Sequence, residues 1–142
     1  MTDFAGLPLR RVDANFAVAP QLQPADMAGV ADAGYRIVIC NRPDGEEAGQ
    51  PASADIRSAA QTAGLAYYDL PVSGGVFPPP TVDEFRRIRR EAIGPVLAFC
   101  RTGTRSITLD TLANPDSLPV EERLNRAMAA GYDLSALVAD RA

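Results

Sequence analysis

The chain has 142 residues, 46% of them hydrophobic, with 18 acidic and 14 basic side chains and a formal charge of −4. Such a length predicts one domain over 1–142, with 1–14 as an N-terminal extension, large enough to bury a core without staples. The acidic balance argues against non-specific nucleic-acid binding. No stretch has the apolar run of a signal peptide or a membrane span, so a cytoplasmic protein with no nucleic-acid or membrane partner is expected.

In chain order, FAVAP (16–20) reads as a strand. The segment after Pro24 reads as a helix with Met27, Val30 and Ala31 on one face, stopped by Gly34. YRIVIC (35–40) predicts a buried strand that runs into the polar, turn-rich NRPDGEEAG. Ser53 is the expected N-cap of a helix whose Ile56, Ala59, Ala60 and Ala63 share a face, with Gly64 as its stop. LAYYDLPV (65–72) predicts a strand, and Tyr67 and Tyr68 then point to opposite faces. Behind the stiff FPPP, Thr81 and Glu84 form a T-x-x-E capping box for a helix carrying Phe85 and Ile88 to about Ala92. On that helix RRIRRE (86–91) reads as a solvated face.

PVLAFC (95–100) is continuous in apolar residues, as a central parallel strand would be. A helix is expected from about Ser106 to Ala113, another over VEERLNRAMAAG with Leu124, Ala127 and Met128 on its packed face, and a short one at 133–138. Strands alternating with helices predict an α/β fold, a central mostly parallel sheet of four to five strands with helices on both faces. Ligands of such sheets bind beyond the carboxyl ends of the strands, here the loops after Pro20, Cys40, Leu70 and Phe99.

One of those loops carries the chemistry. In AFCRTGTRS (98–106) a cysteine follows a buried strand and precedes a helix, so backbone N–H groups and the helix N-terminus converge on one anion-binding concavity. Gly103 permits the tight turn. Arg101 and Arg105 add positive charge that draws a thiolate, the nucleophilic form, which makes Cys100 the candidate nucleophile. Thr102, Thr104 and Ser106 supply hydroxyl donors around it, and Arg42 is a candidate for the pocket rim or a turn residue. Cys40 ends an apolar strand and reads as buried, with a resolving thiol for Cys100 as its other reading. With no histidine and no cysteine cluster, neither a metal nor a cofactor is expected.

Three segments, FAVAPQLQPADMAGVADAGYRIVICNRPDGEE, CRTGTRS and AGYDLSAL, carry a family resemblance. From about Phe16 to Leu137 the chain resembles the DUF442 family, the phosphatase-like domain of beta-lactamase-hydrolase-like proteins, found alone or fused to a persulfide dioxygenase. The resemblance implies a cysteine-phosphatase-like fold, similar to dual-specificity phosphatases. Cysteine phosphatases separate cysteine and arginine by five residues and usually place histidine before the cysteine, whereas Cys100 and Arg105 are separated by four and Phe99 precedes. CRTGTRS is instead similar to the active loop of single-domain rhodaneses.

The function expected from these residues is sulfur transfer. Cys100 would take sulfane sulfur from thiosulfate or a small persulfide and pass it to a thiol or cyanide, with Arg105 and Arg101 holding the anionic donor. A persulfide dioxygenase is the pathway partner that the resemblance implies. The alternative is a phosphatase with Cys100 as nucleophile and Asp69 as general acid, Asp69 being otherwise a turn or cap residue before Pro71. A further alternative is a non-catalytic oxyanion-binding or redox-sensing module.

Overall fold

In the computed structural model, residues 7–137 are described. Five strands, β1 Arg10–Asp13, β2 Phe16–Ala19, β3 Ile37–Cys40, β4 Ala66–Asp69 and β5 Val96–Phe99, form one sheet in the order β1-β2-β5-β3-β4. The pairs β2–β5, β5–β3 and β3–β4 are parallel, and only β1 is antiparallel to its neighbour. Every residue of β2, β3 and β5 is buried, which is why these three read as unbroken apolar runs. The edges differ. β1 is RRVD and β4 is AYYD, and each leaves charged or half-exposed positions toward solvent, as unpaired edges must.

Side-chain alternation divides the sheet's two faces between two helical layers. Ala17, Ala19, Val38, Cys40, Leu97 and Phe99 face helices α1 (Met27–Asp32) and α2 (Ser53–Thr62). Phe16, Val18, Ile37, Ile39, Val96 and Ala98 face α3 (Pro79–Glu91), α4 (Thr104–Ala113) and α5 (Val120–Ala129). The expected α/β architecture is thus present, and it directs all four parallel carboxyl ends to one edge.

Several local expectations are corrected. Residues 10–13 of the expected extension are a sheet strand, while 1–6 lie outside the described residues. Ala52, not Ser53, is the cap position of α2, and the Ser53 amide donates to Asp44 Oδ1 at 2.8 Å. Helix α3 starts at Pro79 without a side-chain cap, because Glu84 pairs with Arg87 instead of reaching back. Arg89 departs from the solvated face and is buried against Asp110 at 2.7 Å. Met128 is 54% exposed, since α5 packs through Leu124 and Ala127, with Ala130 buried just after its end. Of the final predicted helix, residues 135–137 are helical and Val138 lies outside the described residues.

Candidate active site

The site is built where β5 ends. Cys100 follows Phe99 directly and is fully buried, and its amide still bonds Ala19 O of the neighbouring strand at 3.3 Å. The Arg101 carbonyl accepts the Gln21 amide at 3.3 Å, so the loops after β2 and β5 are tied together. Gly103 then takes φ +93°, a left-handed conformation open to glycine, and turns the chain into α4 as its N-cap. That turn aims the Gly103 N–H at Cys100 Sγ, 3.1 Å away. The sulfur thus sits under an amide at the positive end of a ten-residue helix.

Glycine is required at 103 for a second reason. A Cβ there would meet Tyr132 Oη at a distance no side chain tolerates, because the tyrosine lies over the loop and donates to Thr102 O at 2.9 Å. Tyr132 is in turn capped by the Arg10 guanidinium, 5.8 Å from its ring centre. Burial raises the Tyr132 pKa, which the Arg10 guanidinium only partly offsets, so the phenol stays protonated near neutrality.

Beneath the loop, Asn41 links three segments. Its Oδ1 accepts the Ser106 hydroxyl at 2.8 Å, its Nδ2 donates to Leu70 O at 2.9 Å, and its amide bonds Phe99 O at 2.8 Å. The expected role of Ser106 as a donor at the sulfur changes accordingly, because its proton is committed to an anchor. Thr102 and Thr104 bond each other, at 3.0 Å between hydroxyls, and shape the loop's outer turn.

Arg105 reaches out of the loop to the 41–52 segment. Its Nη1 donates to Glu46 Oε2 and Val72 O, and its Nη2 to Glu46 Oε1, all at 2.8 Å. Hydrogen bonds from Arg105 are the main reason that the Glu46 carboxyl is depressed to about 2, with Arg42 adding to the effect. Arg42 is 3% exposed and is less a rim residue than a pillar. Its Nε donates to Glu46 at 2.8 Å, its Nη2 to Glu47 at 2.8 Å and its Nη1 to Gln21 at 3.0 Å. Burial opposes the Arg42 charge, but the two glutamates outweigh it and raise its pKa. Arg101 is exposed, 3.7 Å from Glu47, and Arg42, Glu46, Glu47, Gly74, Arg101 and Arg105 line one open pocket.

Asp69 is engaged elsewhere. Its Oδ1 accepts the Ser53 hydroxyl at 2.9 Å, and Ser53 also bonds Tyr67 Oη at 2.9 Å, on the α2 side of the sheet. Cys40 belongs to the same group, its register partner being Asp69 and its Sγ donating to Arg42 O at 3.4 Å. Burial pushes the Cys40 thiol pKa up, and both cysteines are free thiols. Among the described residues no cluster of three or more His, Cys, Asp or Glu could hold a metal ion, and no helix is long and apolar enough to cross a membrane.

The structure therefore brings Cys100, Gly103, Arg105, Arg101 and Arg42 together and sets Asp69 with Cys40. Sequence reading did not find Glu46, Asn41 or Tyr132. The signal for Asn41 and Glu46 was the run NRPDGEE at the carboxyl end of β3, where Glu46 lies 59 residues from the arginine it holds, and Tyr132 lies in the segment AGYDLSAL.

A buried cysteine after the central strand, a short loop and a helix N-terminus make the arrangement of the cysteine-phosphatase-like fold, which the solved neighbours share. Residues 8–116 match the family described as beta-lactamase hydrolase-like protein, phosphatase-like domain, and the chain belongs to that family. A beta-lactamase hydrolase-like protein of Agrobacterium fabrum is 39% identical over 102 residues, 72% of this chain and 24% of that one. One from Xylella fastidiosa is 34% identical over 138 residues, 92% of this chain and 31% of that one. The chain thus spans about a quarter to a third of these relatives. The crystal structure of a candidate phosphatase from Neisseria meningitidis superposes with a TM-score of 0.81 at 35% identity, covering 94% of this chain and 96% of that one.

Proposed function

We propose that this chain is an enzyme in which Cys100 takes a group from a small anionic donor held by the 100–106 loop. Sulfane sulfur and a phosphoryl group are the two candidates for the group transferred. The observation that carries sulfur is the loop itself: with four residues between Cys100 and Arg105, its turn closes on one atom, the Gly103 N–H lying 3.1 Å from Sγ. A tetrahedral phosphoryl group asks for a wider ring of donors.

In the sulfur reading the Cys100 thiolate attacks the outer sulfur of thiosulfate. A Cys100–sulfur bond forms, the donor's S–S bond breaks, and sulfite leaves with the electron pair. An acceptor thiolate then attacks the outer sulfur of the Cys100 persulfide, forms a new persulfide and returns Cys100 as thiolate. No step needs a proton delivered to an alcohol. A persulfide dioxygenase that oxidises the product is the partner we propose.

Phosphoester hydrolysis is the second reading, and the names of the family and of the Neisseria neighbour favour it. There Cys100 attacks phosphorus and an acid protonates the leaving alcohol. Asp69 would have to leave Ser53 to serve, and Glu46, held at about 2, is no proton donor near neutrality.

Intact mass separates the readings. After thiosulfate, Cys100 should gain one sulfur, about 32 Da, which cyanide or a thiol removes and Cys100→Ser lacks. A gain of about 80 Da from an aryl phosphate, with turnover and no sulfur gain, would reverse the order of the two. No adduct and no turnover with either donor would leave only a binding or sensing module.

A further inference from the structure

A guanidinium has five N–H donors arranged along two usable edges. Arg105 spends three of them, Nη1 twice and Nη2 once, on Glu46 and Val72 O. The Nε–H and the second Nη2–H, which together form the side edge, have no protein acceptor among the described residues. That free edge is itself a two-donor fork of the kind that grips one carboxylate, sulfonate or phosphate group. Arg105 stands on the first turn of α4, two residues after the Gly103 whose N–H lies 3.1 Å from Cys100 Sγ, so the fork belongs to the loop that carries the nucleophile.

What fixes the fork is a relay from the core. Arg42, with only 2% of its side chain exposed, is held by Gln21 and Glu47 and donates Nε to Glu46 Oε1. The segment bearing Glu46 is bonded to itself as well, since the Glu46 amide donates to Gln50 Oε1 at 3.0 Å and Gln50 Nε2 donates to Pro43 O at 2.8 Å. Glu46 thus arrives at Arg105 already placed, and it satisfies the end of the guanidinium that would otherwise seek the substrate.

We propose that Glu46 is a positioning residue: it holds the end of Arg105 so that the side edge alone presents to the donor's oxyanion. This rests on the reading that Cys100 works on an anionic donor, and it is independent of whether sulfur or phosphorus is transferred. A consequence is that the site accepts one oxyanion group in a set direction, because the second edge is filled by a resident carboxylate.

The test reads the grip on an anion without turnover. Iodoacetate and iodoacetamide alkylate Cys100 with loss of iodide, and they differ in that one carries a carboxylate. The ratio of their rates on the full chain reports an oriented cation beside the sulfur. The wild type should prefer iodoacetate, and Glu46→Gln should lower the ratio about tenfold, toward that of Arg105→Met, with a larger effect on KM for thiosulfate than on kcat. Glu46→Asp, whose carboxylate is too short to take both Nη groups, should fall in the same direction if the Gln variant does not fold. A ratio within about threefold of wild type in the folded variants, or a wild type without preference for the anion, would overturn the proposal. If the ratio responds as expected while neither sulfur nor phosphoryl is transferred, the enzymatic reading fails and the positioning stands.

Discussion

Gly103 concentrates three demands at one residue: a φ of +93°, an amide aimed at Cys100 Sγ and no side chain beneath Tyr132. Gly103→Ala should therefore cost about 2 to 3 kcal/mol, from the left-handed backbone and the displaced tyrosine, seen as a lower urea midpoint. It should also reduce turnover at least tenfold, whereas Tyr132→Phe, which loses only the bond to Thr102 O, should cost about 1 kcal/mol. Equal losses in the two variants would show that the amide at the sulfur is unimportant. The two cysteines, both buried, should still diverge: alkylation under native conditions should modify Cys100, whose Sγ accepts the Gly103 N–H at a helix N-terminus, and spare Cys40, whose Sγ donates to Arg42 O and whose thiol pKa burial pushes up. Peptide mapping checks this, and modification of Cys40 at a comparable rate would contradict it. At this scale the sequence revealed residues whose roles are local. Cys100, Gly103 and Arg105 sit within six residues of one another in the sequence, whereas Glu46 acts through a partner that only the fold brings near.

Between elements, the junction that matters is the one Asn41 makes. It lies fully buried at the end of β3 and ties the α4 hydroxyl of Ser106 to the carbonyl of Leu70 after β4. Asn41→Ala would leave a hydroxyl and a carbonyl unsatisfied in the interior, at about 1 to 3 kcal/mol each, so a loss of about 2 to 4 kcal/mol in denaturant unfolding is expected. A loss below about 1 kcal/mol would mean that the three segments hold together without it. The central strands were legible for a simple reason: β2, β3 and β5 are buried on both faces and need apolar residues at every position. β1 was not, because an edge strand reading RRVD has no alternation to see, and its pairing with β2 is a long-range fact. The start of α2 misled for a related reason. Ser53 looks like a cap, but Asp44, nine residues away, takes its amide and leaves the hydroxyl to Asp69 and Tyr67.

Across the whole molecule, two carboxylates, one paired with the first turn of α4 and one buried further along that helix, give stability opposite dependences on pH. Glu46 is held near 2 by Arg105 and Arg42, below its ordinary 4.5, so its contribution is complete above about 4.5 and lost as pH falls toward 2. Asp110, facing Arg89, Asp13 and Asp116, is pushed up to about 6 by burial, and Arg89 only partly offsets this. The folded state then binds the Asp110 proton more tightly than the unfolded chain. Its contribution is complete below about 3.8 and is lost as pH rises through about 6. Urea midpoints for the wild type should accordingly peak at about pH 4, where the two windows meet, falling as pH rises toward about 6 and again as it drops toward about 2. Asp110→Asn should flatten the upper limb and leave the acid limb, and Glu46→Gln should do the reverse. If both variants keep both limbs, the pH dependence belongs to other groups, and burial of Asp110 beside Arg89 is compensated within the ionic cluster.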